Sequence, residues 1–398
     1  MSMACRLSSP GIVCGLGDCH ETIIRALEGG HRGLRQEDRY TPGRSLSLGA
    51  VTTALADDSE WPIEHRSRNN RLIATALKRM EPTLEATLAA CCPTRIAVVM
   101  GTSTSGIAET EAAIARTGPG QPFDADYRYA HQELGAPSHF VRARLGLAGP
   151  AWTLSTACSS GARALSAARR LLLSHQADAV IAGGADTLCG LTINGFDALG
   201  AVSDTPCQPF AAARGGINIG EAAALFVVTR ESGGIQLAGY GESSDAHHIS
   251  APAPDGRGAL SAMHQALSMA GRQPSEVDYL NLHGTATPHN DAMEARALHA
   301  LFGDAQPPAS ATKALTGHTL GAAGALEAAF CWLSLVHGFY PAHVCDLALD
   351  TDLLPLSLIG HRQPAPLEAR GAPRLSLSNA FAFGGNNAVL ALESSDAP

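Results

Sequence analysis

Two stretches of this chain occur twice, in the same order. "VVMGTSTSG" (98–106) and "LNLHGTATP" (280–288) each read as an apolar strand running into Gly-Thr-x-Thr. "LSTACSSGARALSAA" (154–168) and "LTGHTLGAAGALEAA" (315–329) each read as a polar turn feeding a helix of small residues. An ordered echo of this kind is the signature of a duplicated structural unit. It points to two copies of one unit, with a seam near residues 231–240, where "RESGG" (230–234) supplies a chain breaker. Two copies packed face to face bring equivalent helix starts together. One start carries Cys158 and the other His318.

The intervening segments set the class of the unit. "RIAVVMG" (95–101), "ADAVIAGGAD" (177–186), "AAALFVVTR" (222–230), "VDYLNLHG" (277–284) and "NNAVLALE" (386–393) read as buried strands. Helix-like segments lie at 70–80, 158–174, 258–270, 291–301 and 321–337. Strands alternating with helices predict an α/β protein with largely parallel sheets. The charge balance is −9, with no basic block, which excludes a nucleic-acid footprint. The small-and-apolar run 319–336 is interrupted by Glu327 and reads as a buried helix rather than a membrane span. The ten cysteines show no C-x-x-C pair and no zinc spacing, so we expect reduced thiols, no metal and a cytoplasmic location.

Three residues carry chemistry. Cys158 lies between a strand end and Ser159, Ser160 and Gly161. A helix beginning there aims unpaired N–H groups and its dipole at the sulfur and lowers the thiol pKa. Taken alone, a cysteine among such small residues is more often a small core residue. His283 ends an apolar strand, where ligand sites of parallel α/β sheets gather. His318 opens the second small-residue helix, with Lys313 before it and Glu327 after it. Either histidine alone reads as a structural hydrogen-bonder, and Lys313 with Glu327 as an ion pair. "NAFAFGGNN" (379–387) is a glycine turn without the G-x-G-x-x-G spacing of nucleotide binders. His247 and His248 read as surface residues.

In this order, "TACSS", "HGTAT", "TKALTGHTLGAAG" and "FAFGGNN" resemble the β-ketoacyl-acyl carrier protein synthases of the thiolase-like superfamily. The likeness is closest to the synthase I and II type, the Cys-His-His condensing enzymes, and covers nearly the whole chain. It implies a thiolase-like fold of duplicated halves in five layers, α-β-α-β-α, with residues 1–232 carrying the nucleophilic cysteine and 233–398 both histidines. It implies that Cys158 takes an acyl group from acyl carrier protein and that the acyl-enzyme condenses with malonyl-carrier protein after loss of CO2. His283 and His318 would stabilise the enolate oxygen, and Lys313 and Glu327 their hydrogen-bond network. Backbone N–H groups of Cys158 and Phe383 would form a second oxyanion hole, with Phe383 as gate. Asp291 takes a structural role. No cofactor is implied, since phosphopantetheine arrives on the carrier protein. The implied partners are acyl carrier protein and a second chain, as a homodimer or a heterodimer with a related ketosynthase.

Several positions depart from the family pattern. Ala382 stands where the gate usually has its first glycine, "GEAAA" (220–224) has fewer glycines than usual, and Ala211 replaces an acid. The span from Gly106 to Pro150 is short, which leads us to expect an altered acyl pocket. "RSRNN", "QELGAPS" and "GESSDAHHISAP" resemble the synthase I-like proteins of aryl-polyene and xanthomonadin-type pathways. Arg66, Arg68 and Arg71 are the expected basic patch for the acidic carrier. A chain-length-factor-like partner is the main alternative; the retained Cys158, His283 and His318 argue against it. A thiolase or a synthase III-type initiator fits less well. The former needs a second catalytic cysteine near the C-terminus, and the latter an asparagine at His318.

Overall fold

The structure is a computed structural model that describes residues 5–118, 120–360 and 371–395. Its strands, in chain order, are β1 (Arg6–Leu7), β2 (Gly11–Cys14), β3 (Arg35–Glu37), β4 (Leu46–Leu48), β5 (Ile96–Gly101), β6 (Ala151–Leu154), β7 (Ala179–Asp186), β8 (Ala222–Thr229), β9 (Ile235–Ser244), β10 (Tyr279–Asn281), β11 (Ala309–Ser310), β12 (Leu375–Ala382) and β13 (Asn386–Ser394). Apart from the β3–β4 ribbon and the short linking strand β1 they make two five-stranded units. The first has the spatial order β6-β5-β7-β8-β2 and the second β11-β10-β12-β13-β9. Numbered within each unit, both orders are 3-2-4-5-1. The directions match as well: three parallel strands, then two antiparallel pairings. The short strand β1 pairs with both β8 and β9 and joins the units edge to edge.

Side-chain alternation builds the layers, because successive residues of a strand face opposite sides. In β5, Ala97 and Val99 enter the core shared with helices Ser160–Leu173 and Ala323–His337, while Ile96, Val98 and Met100 enter a second core with helix Arg68–Arg79. In β13, Ala388 and Leu390 enter the shared core, while Val389 and Ala391 face helices Arg257–Ala270 and Pro288–Phe302. Both units are therefore covered on both faces, giving helix, sheet, helix pair, sheet, helix. The apolar run Leu320–His337 is part of this middle layer, and 83% of it is buried within the chain. By length and hydropathy alone it could cross a membrane, and its burial is what marks it as a core helix.

The middle helices touch through glycine. A Cβ on Gly161 would lie 2.8 Å from the backbone nitrogen of Ala325, and one on Gly324 would lie 2.7 Å from that of Ala162. The contact is reciprocal between the two repeats, which explains why each repeated helix opens with small residues. Gly161→Leu forces the helices apart, and overpacking of this kind costs about 1–3 kcal/mol. A urea denaturation midpoint lowered by the equivalent of about 1–3 kcal/mol is expected. An unchanged midpoint would show that the layer is not close-packed here.

Candidate active site

The turn before helix Ser160–Leu173 is built by hydroxyls. Thr156 donates its backbone N–H to Ser160 Oγ at 2.9 Å, Ser159 Oγ donates to Thr156 O at 2.8 Å, and Ser160 Oγ donates to Ala157 O at 2.6 Å. These bonds hold Ala157 at φ 52°, a left-handed conformation unfavourable for a residue with a Cβ. Cys158 follows in that turn. The helix itself begins at Ser160, not at Cys158. The thiol is 4% exposed, and burial pushes it up to about 11, against the opposing pull of the Lys313 charge and the Phe383 N–H. The lowered thiol pKa expected from the sequence is thus reversed. Desolvation disfavours the thiolate more than the helix end and the nearby cation favour it.

His318 comes from the second repeat. Its backbone is clamped by the first half of the chain: His318 N donates to Asn218 O at 2.6 Å, and Gly220 N donates to His318 O at 2.9 Å. The ring then reaches Cys158, with Nε2 3.0 Å from Sγ. The other ring nitrogen, Nδ1, is buried without a hydrogen-bond partner among the described residues. His283 lies just past the end of β10, its ring 5.5 Å from that of His318 and nearly perpendicular to it. Lys313 Nζ sits 3.2 Å from His283 Nδ1 and pairs with Glu327 Oε1. Burial first, and the Lys313 charge second, hold both imidazoles well below the ordinary histidine range. They are neutral. An ammonium has no lone pair to accept with, so it fixes His283 Nδ1 as acceptor and leaves the ring proton on Nε2. Burial raises Glu327 to about 7, with Lys313 opposing.

Buried carboxylates that we did not single out from the sequence hold these groups in place. Glu294 accepts from the backbone N–H of His283 and of Gly284, each at 2.8 Å, and from Asn379 Nδ2 at 3.1 Å. Asp186, at the end of β7, accepts from Ser103 N and Thr104 N at 2.8 Å, from Thr102 Oγ1 at 2.6 Å and from Gly321 N at 2.5 Å. It therefore ties the loop after β5 to the turn that follows His318. The only sequence signal was an acid closing an otherwise apolar strand. Asp291 accepts from Phe210 N and Ala286 N, the structural position expected of it.

A cavity of about 460 Å³ opens onto Cys158, His283 and His318, and Phe383, Phe196 and Thr285 also line it. Phe383 packs against Phe196 with ring centroids 5.4 Å apart, and its N–H contacts the Cys158 sulfur. Ala382 closes β12 opposite Asn386 in extended backbone, where a Cβ is no burden. The positive φ of the turn falls on Gly384 (82°) and Gly385 (72°). His248 is exposed, as expected, but also lines the cavity.

Family models decide what this arrangement belongs to. Residues 23–233 match the β-ketoacyl synthase N-terminal domain, and residues 235–345 match the C-terminal domain. The chain belongs to the β-ketoacyl synthase family. This synthase-family chain is 36% identical over 277 residues to a 3-oxoacyl-[acyl-carrier-protein] synthase 2 of Staphylococcus aureus, a match spanning 64% of this chain and 64% of the relative. One chain of the ketosynthase ApeO–chain length factor ApeC complex from Xenorhabdus doucetiae superposes with a TM-score of 0.92 and 44% identity, covering 99% of this chain and 98% of that one. The ishigamide ketosynthase/chain length factor gives a TM-score of 0.89 at 28% identity, covering all of both chains. The thiolase-like fold is established by these neighbours and by the two matching units.

The expected basic patch needs correction. Arg68 turns inward: its Nε and Nη2 bind Glu221 at 2.8 and 2.5 Å, and Nη2 also donates to Val51 O. Glu221 is buried, so the guanidinium is consumed in neutralising it. Arg71 donates to Ala56 O at 2.9 Å, and Arg66 donates through Nε to Trp61 O while remaining exposed. Arg68→Ala is therefore expected to destabilise the protein, because it strands a buried carboxylate. The cost is about 3 kcal/mol at most, since Arg68 itself is partly exposed. Thermal unfolding measures this, and an unchanged Tm would return Arg68 to the surface patch. Arg66→Glu is the cleaner test of carrier docking.

Proposed function

We propose that the chain is a 3-oxoacyl-acyl carrier protein synthase working on specialised polyene-type chains. Cys158 Sγ attacks the carrier-bound thioester and forms a new thioester. The S–H proton passes by way of His318 Nε2 to the departing carrier thiol. Malonyl-carrier protein then loses CO2, and the electron pair of the broken C–C bond moves onto the thioester oxygen as an enolate. The enolate carbon attacks the acyl-cysteine carbonyl, the C–S bond breaks with its electron pair returning to Cys158 Sγ, which takes up a proton from solvent, and a 3-oxoacyl product longer by two carbons leaves. His283 and His318 donate to the enolate oxygen, and the N–H groups of Cys158 and Phe383 to the acyl carbonyl. The observation carrying this reading is His283, neutral and fixed by Lys313 with its proton on Nε2, beside a thiol that His318 touches.

Residues 1–232 and 233–398 serve as the two halves, each supplying part of the site. No cofactor of the chain's own takes part, since the phosphopantetheine belongs to the carrier. The edge strand β6, half-buried along its length, supports assembly with a second ketosynthase-like chain. Ten unpaired cysteines support a cytoplasmic location. Purified protein, alone and with a co-expressed partner chain, is to be incubated with malonyl-carrier protein and a panel of acyl-carrier proteins, with products followed by mass spectrometry. A product 3-oxoacyl chain two carbons longer is expected. Its absence with every primer, with and without partner, overturns the reading. Cys158 acylated but never condensed would favour a non-elongating partner subunit.

A further inference from the structure

Three donor atoms of the kind soft metals prefer converge in the cavity. The ligand-capable atoms of Cys158, His283 and His318 lie within 4.8 Å of one another. One thiolate and two imidazoles with a position left open is a donor set that zinc and cobalt take readily. Bond lengths of roughly 2.0–2.3 Å put the donors of a tetrahedral site about 3.3–3.7 Å apart, so small side-chain shifts suffice.

One neighbour opposes this. A metal-bound imidazole carries its proton on the other nitrogen and donates it to an acceptor, usually a carboxylate or carbonyl. Here the partner of His283 Nδ1 is the Lys313 ammonium, 3.2 Å away. An ammonium only donates. It keeps the ring proton on Nε2, the nitrogen a metal would need. Its charge also repels a cation at short range, in a setting where water screens little.

We propose that Cys158, His283 and His318 form a latent soft-metal site and that Lys313 keeps it shut. The role is selectivity: the same three side chains that suit acyl transfer would otherwise be poisoned by zinc. Binding would break the S–H bond, release its proton to solvent, form one metal–sulfur and two metal–nitrogen bonds, and change no oxidation state. Neutralising Lys313 allows His283 Nδ1 to carry the proton, and leaves Glu327 without its cation in the same polar pocket. That carboxylate is an acceptor of the type metal-bound histidines favour. The site itself rests on the triad geometry, and only its role in selectivity rests on the acyl-transfer reading.

The full-length protein is to be titrated with Co²⁺ alone, following thiolate-to-cobalt charge-transfer absorption in the near ultraviolet. Wild type and Lys313→Arg should show no such band at submillimolar cobalt. Lys313→Met and Lys313→Gln should show it, with affinity higher by on the order of 10–100-fold. Adding Cys158→Ser to either should abolish it. Circular dichroism identifies which neutral variant folds, and the glutamine provides a second chance should the methionine fail. A wild-type band as strong as the variants' overturns the role of Lys313. A folded neutral variant with no band overturns the site.

Discussion

Cys158→Ala protein accepts no acyl group. Incubated with acyl-carrier protein, the wild-type chain gains the mass of the acyl chain, while the variant stays at its unmodified mass. The expectation comes from placement rather than from cysteine chemistry in general. Of the ten thiols, this one lines the cavity and is touched by both a histidine nitrogen and a backbone N–H. Cys5, Cys14 and Cys331 are buried in the shared apolar core instead. The same thiol should also alkylate in a particular way. Burial raises its pKa to about 11, so below that pH it is mostly protonated, and its thiolate fraction rises with pH. Iodoacetamide labelling of Cys158 should therefore accelerate about tenfold per pH unit from pH 7 to 10. A plateau reached by pH 8 would show that the helix end and Lys313 win after all, as the sequence alone suggested. An acylated Cys158→Ala protein would remove Cys158 as nucleophile.

That reversal marks the limit of what the sequence made legible. The repeat was visible because small residues are required where the middle helices meet: Gly161 and Gly324 let them approach backbone to backbone. The approach of Cys158 to His318 follows from the same repeat. Other elements left little pattern. β12 carries Ser376, Ser378 and Asn379 in the buried interior, so its apolar run is broken by buried polar residues, of which Asn379 donates to Glu294. β9 contains Gly239 and Gly241, where a Cβ would strike the backbone of helix Arg257–Ala270. Close packing there removes the side chains that announce a strand. Arg68 failed as a surface residue because its partner, Glu221, lies 153 positions away. Long-range pairs between charges leave no mark in local sequence. Depth, likewise, has no local signature: the turn chemistry of "TACSS" was readable, but not that desolvation would dominate the thiol.

The second large effect separates the two histidines. His283→Ala protein should load acyl groups at the wild-type rate yet condense about 10²–10³-fold more slowly, the loss typical of one oxyanion donor. His283 touches Lys313 rather than the thiol, so nothing in the loading step needs it. His318→Ala should slow both steps, because its Nε2 lies 3.0 Å from the attacking sulfur. Nδ1 of His318 has no hydrogen-bond partner among the described residues, which suits this dual role. With no described neighbour at Nδ1 to pin its tautomer, the ring can accept the thiol proton in one half-reaction and donate to an oxygen in the next. His283 lacks that freedom, since the ammonium fixes it as a donor. Single-turnover mass spectrometry, with acyl-carrier protein added before malonyl-carrier protein, resolves the two rates. Equal losses in both steps for His283→Ala would mean that its ring serves the cavity's shape instead of the enolate. Wild-type condensation by His283→Ala would leave Lys313 and Glu327 as a structural pair with no part in the chemistry.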